Sequence, residues 1–170
     1  MIYDPTSLWG FLIARMKYSR LTKEQFEALH LEFARFLAAL GIDAEHWKQL
    51  KEEKSPKVEE LLDVFSDQVW DDVLAKAKYL EHWSKDQVLL ISYEPQQMAS
   101  VILKATNPPQ PITTAAGWQW VQEQLPTNQV TLYQGTKKYT QDRKRSIFEM
   151  IRSGAQLSDG KKYEALRRFF

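Results

Sequence analysis

The chain has 170 residues, 44% of them hydrophobic, and a formal net charge of +1. This is the composition of a soluble globular protein large enough to bury a core without staples. It has no cysteine, which excludes disulfides, thiolate metal sites and a cysteine nucleophile and fits a reducing, cytoplasmic setting. Its six glycines form neither GxGxxG nor GxxxxGK[ST], so no phosphate-cradling loop is expected. No run reaches the roughly 18 apolar residues of a membrane span, and MIYDPTSLWGFLIAR lacks the basic start and small-residue cleavage pattern of a secretion signal.

Thr22-Lys23-Glu24-Gln25 is a capping-box pattern. The helix it opens carries Phe26, Leu29, Phe33, Phe36, Leu37 and Leu40 on one face, and Gly41 stops it. Asp43 caps a short second helix, AEHWKQLKEE, and Ser55-Pro56 opens a third that runs to Lys76 or Lys78. The period then changes. Tyr79–Trp83, Val88–Tyr93 and Met98–Thr106 read as a meander, with Glu94-Pro95-Gln96-Gln97 turning the last two into a hairpin. Pro108, Pro109 and Pro111 make 107–111 an extended loop. Thr114 caps a helix through Leu125, stopped by Pro126, and Gln129–Tyr133 is a fourth, short strand. Thr140 caps a helix to Ser153, and Ser158 opens a last one carrying Tyr163, Leu166 and Phe170. Several helices around a small, mostly antiparallel sheet, with its hairpin at about 88–106, make the class α+β. Residues 1–15 read as an N-terminal extension. Residues 16–170 read as one domain: a helical half to about 78, a meander over about 79–106, and a mixed basic part over 107–170.

No catalytic constellation is assembled by local motif. Gly-x-Ser-x-Gly is missing, and His82-Trp83-Ser84 has no supporting context. Glu27-x-x-His30 shares a helix face, but a carboxylate-bridged di-iron site needs that pair twice with two further glutamates, and no second pair exists. His30 therefore reads as a boundary residue with a local partner. No enzymatic activity, metal or cofactor is expected.

Charge is divided along the chain. Residues 136–170 hold 10 Lys/Arg against 4 Asp/Glu, a balance of +6, while residues 1–135 sum to −5. In the third helix, Val58, Leu61, Leu62, Phe65, Val69 and Val73 share an apolar face. Asp63, Asp67 and Asp71 follow one another at i, i+4 on the acidic side, with Trp70 and Leu74 intruding there. Either the two apolar residues pack under another element, or Trp70 is an anchor rimmed by acids on a partner-binding face. Trp118 and Trp120 cannot share one narrow helical stripe, which places Trp120 at the edge of the sheet contact or exposed to a partner.

At the basic end, Arg143, Lys144 and Arg145 follow the expected Thr140 cap, where the positive end of the helix dipole disfavours cations. Lys137 and Lys138 lie just upstream. These five cations are either a solvated face or a site for an anionic partner at a helix start with free amides.

The stretches MKYSRLTKEQFEALHLEFARFLA (Met16–Ala38), LDVFSDQVW (Leu62–Trp70), YLEHWSKDQ (Tyr79–Gln87) and KKYTQDR (Lys137–Arg143) resemble an uncharacterised family of short bacterial proteins. The resemblance implies members that start near Met16, and it carries no activity or catalytic residue with it. Residues 1–15 then stand as an extension or an upstream start.

Two function classes follow. One is a non-catalytic protein-binding or adaptor module, self-association included, for which the acidic ridge, Trp70 and the 13 Trp/Tyr residues speak. The other is association with RNA or the ribosome through the basic segment, which salt would weaken far more steeply.

Overall fold

The computed structural model describes residues 16–170. The expected extension, with its apolar stretch Leu8–Ala14, lies outside the described residues. The chain gathers into two compact units that divide between Val73 and Leu74.

The first unit is helical: α1 (Lys23–Ala28), α2 (His30–Ala39), α3 (Ala44–Glu52) and most of α4 (Pro56–Lys76). Thr22 forms the full capping box with Gln25. The single helix expected from Thr22 to Leu40 is two, because Leu29 leaves helical geometry at φ −105°, ψ 24°. The path barely deviates, since Leu29 N–H still donates to the Gln25 carbonyl and Phe33 N–H to that of Leu29. Gly41, at φ +73°, ends α2. Ile42 N–H reaches the Leu37 carbonyl and Gly41 N–H that of Ala38, the paired bonds of a Schellman cap that a side chain at this φ would strain. Leu37, Ile42, Leu50 and Leu61 form the core, with Phe33, Phe36, Trp47 and Val58 packed around them. The Phe33 ring meets Trp47 and Phe65 edge-on at 5.3 and 5.0 Å, the favoured geometry for aromatic quadrupoles.

The second unit contains β1 (Tyr79–Trp83), β2 (Gln87–Tyr93), β3 (Gln97–Ala105), α5 (Ala115–Gln124), β4 (Val130–Lys138), α6 (Arg143–Arg152), β5 (Gln156–Ser158) and α7 (Lys161–Leu166). The five strands form one antiparallel sheet in the order β4-β3-β2-β1-β5. The fold is α+β. The hairpin forms through the Glu94–Gln97 turn, with Tyr93 opposite Met98 and Val88 opposite Leu103. Val88, Leu90, Val101 and Leu103 alternate onto one sheet face and pack with Ile112, Val121, Tyr163 and Leu166.

Three expectations in this unit are corrected. β4 runs to Lys138 rather than Tyr133, because it pairs with β3 along all nine of its residues, and that ladder outweighs the weak strand preference of Gly135 and the lysines. Ser158 does not cap the last helix. It ends β5, which pairs with Tyr79–Glu81, and α7 starts after Gly160 at φ +80°. The cap of α6 is Asp142, not Thr140. Lys137 and Lys138 are the last two residues of β4. Among the described residues, no helix is long and apolar enough to cross a membrane.

Candidate functional site

The acidic side of α4 has a partner within its own unit. Residues 17–21 run along it. Asp67 accepts both Lys17 N–H at 2.6 Å and Tyr18 N–H at 2.9 Å, one on each carboxylate oxygen. Asp71 accepts the Tyr18 hydroxyl at 2.8 Å and Lys17 Nζ at 3.1 Å. Arg20 pairs with Asp63 through Nε at 2.7 Å and with the Glu59 carboxylate. The Asp63 hydrogen bond, then that to Glu59, raises the Arg20 pKa above its ordinary value. Burial, then the bond to Asp71, pushes the Tyr18 phenol up. Trp70 Nε1–H donates to the Ser19 carbonyl at 3.0 Å. The fully buried Ser66 accepts Leu21 N–H at 3.1 Å and donates to the Leu62 carbonyl. Asp63, Asp67, Asp71 and Trp70 are thus joined, and the surface they form is engaged by the chain's own strap. Trp70 is half-buried and Leu74 fully buried, as the packing alternative expects.

The five basic residues fall into different environments. Arg143 is a structural clasp: Nη1 donates to the Leu74 carbonyl at 3.2 Å, and Nη2 donates to those of Ala77 and Tyr93. Arg145 pairs with Glu149 at 2.7 Å and lies over the Phe148 ring. Lys144 is half-buried and also engaged. The Asp142 carboxylate accepts Arg145 N–H at 3.1 Å, placing a negative charge at the helix start. The cations therefore do not face an uncompensated dipole, and Arg143, Lys144 and Arg145 are half-buried. Lys137 and Lys138 remain exposed at the end of β4.

The other singled-out residues have structural partners. His30 Nδ1 lies 3.0 Å from the Glu27 carbonyl, the local partner expected of it. Trp118 meets Trp83 edge-on at 5.2 Å, and Trp120 packs at the margin of the sheet core. Glu81 accepts Trp83 Nε1–H at 2.9 Å and the Ser158 hydroxyl at 2.7 Å, and pairs with Lys162, whose ammonium lies over both tryptophan rings.

The surface that sequence reasoning missed is the outer edge of β4. Ala105 N–H donates to the Asp86 carbonyl and Thr106 N–H to that of Gln129, each at 2.8 Å. Antiparallel strands alternate between bonded and non-bonded pairs. The odd-numbered residues of β4 therefore bond to β3, while Val130, Leu132, Gln134, Thr136 and Lys138 turn N–H and C=O outward. Among the described residues no strand pairs with that side. The opposite edge is β5, three residues long, whereas β4 offers nine. Its available signal was the continuation of β-favouring residues through Thr136, obscured by Gly135.

The class is α+β, with one long strand edge that no other strand covers among the described residues. Residues 16–170 match DUF6495, a family of unknown function, and the chain belongs to that family. No curated protein and no solved structure matches it.

Proposed function

We propose that this protein is a non-catalytic protein-binding module that takes up a strand-forming protein segment on the outer edge of β4. The observation that carries the reading is the nine-residue open edge, exposed over Gln134–Lys138 and without a strand beside it among the described residues. Such edges template added strands through main-chain hydrogen bonds, and proteins that do not use them usually shorten, bulge or cover them. RNA or ribosome association, the alternative, is weakened because Arg143 and Arg145, two of the five cations named for it, are engaged by intramolecular partners, while Lys137 and Lys138 are exposed.

The test is a photo-crosslinking residue at Gln134 in cells of native background. A protein adduct that survives nuclease and disappears when Thr136→Pro is added supports the reading. Proline there removes an outward N–H and leaves the β3 ladder intact. An adduct with nucleic acid alone, or none, overturns it.

A further inference from the structure

We propose that the occupant of the β4 edge is β4 of a second copy, antiparallel to the first and centred on Gln134, an inference that rests on the protein-binding reading above. The outward-facing residues set the register. A two-fold axis at Gln134 pairs Gln134 with itself, Leu132 with Thr136, and Val130 with Lys138, so every outward N–H and C=O of β4 meets its counterpart. That is about ten main-chain hydrogen bonds, with the full nine-residue overlap.

The side chains fit the same axis. Tyr133, 53% exposed, comes directly opposite Gly135 of the other copy on one sheet face. An aromatic ring laid over a cross-strand glycine covers backbone that glycine leaves bare, and the axis creates this pair twice. Gly135 has room for the approach, since among the described residues only the Ser100 hydroxyl comes within ordinary contact of a Cβ built there. The charges fit as well. Lys137 falls opposite Thr131 and Lys138 opposite Val130, so no like charges stand directly across from one another, and the cations sit at the two ends. A shift of the axis loses overlap and separates Tyr133 from Gly135. The interface is isologous and closes on itself, so this pairing would cover the edge without propagating into fibres.

The test uses charge at the one self-paired position. The purified full chain is expected to sediment as a dimer in the micromolar range. Gln134→Pro should raise the dimer dissociation constant at least about tenfold. Gln134→Lys and Gln134→Glu should each be monomeric, because each sets like charges against one another on the axis. Mixed together they should form a one-to-one heterodimer, which no partner of different sequence and no other register predicts. Circular dichroism melts show whether each variant is folded, and Gln134→Lys with Gln134→Glu keeps the test open if the proline variant is not. A wild-type monomer throughout this range overturns the second-copy inference, as does failure of the folded charge variants to complement each other. If the Gln134 crosslinker still captures a different protein in cells, the protein-binding reading stands and only the second copy falls. If it captures none, both fall.

Discussion

Arg143 ends the last turn of α4 from 69 residues away, donating from Nη1 to the Leu74 carbonyl at 3.2 Å. The last carbonyls of a helix have no partner within it, and here one guanidinium serves Leu74, Ala77 and the end of β2 together. Arg143→Ala leaves three carbonyls to find other donors and should cost about 2–3 kcal/mol of stability by chemical denaturation. Arg143→Lys should recover only part of this, because an ammonium lacks the planar fork. Lys137→Ala and Lys138→Ala, at exposed positions, should change stability by less than about 0.5 kcal/mol.

Asp67 holds the strap to α4 through two backbone amides. Asp67→Ala should lower stability by about 1–2 kcal/mol. It should also speed proteolysis after Lys17 and Arg20, read by mass spectrometry. Glu60→Ala, at an exposed position on the same helix, is the control and should alter neither.

Tyr93 is buried, and its hydroxyl has no hydrogen-bond partner. Burial, reinforced by Tyr139 beside it, pushes its pKa up to about 12 from an ordinary 10.0, against the opposing pull of Arg143. The folded pKa is raised, so the stability associated with the neutral phenol is complete below pH 10 and is lost between about pH 10 and 12 as the unfolded chain ionises first. Tyr93→Phe should flatten that part of the stability profile in a pH series of urea melts. At pH 7 it should stabilise by about 1 kcal/mol, because it removes an unpaired buried hydroxyl.

Gly117 is buried in α5, where alanine would ordinarily favour the helix by about 1 kcal/mol. A Cβ at this position would fall on the Pro111 carbonyl and against the backbone of Ile112. Gly117→Ala should therefore reverse the usual sign and destabilise by about 1–3 kcal/mol. A thermal melt of this variant, compared with Ala116→Gly on the exposed side of the same helix, separates the contact from helix propensity.

The elements legible before folding are those whose signals lie within a few residues. Thr22, Asp43 and Thr114 accept amides three positions ahead of them, and the hairpin closes over Glu94–Gln97. Such short-range bonds depend on neighbouring residue types, so they can be read in order along the chain. The partners of the charged residues were not legible in this way. Asp63 and Arg20 are 43 residues apart, and the ridge looked unpaired because its cations precede the first helix. Arg143 looked misplaced at a helix start because the carbonyls it serves lie 50 to 69 residues earlier. The length of β4 and the existence of β5 rest on ladders with β3 and β1, whose hydrogen bonds outweigh weak local preference. Composition and spacing placed the charges, the hairpin turn and the caps at Thr22, Asp43 and Thr114, but not those of the last two helices. Only the tertiary structure decided which charges are neutralised and which edge of the sheet has no strand beside it among the described residues, because both depend on residues that folding alone brings together.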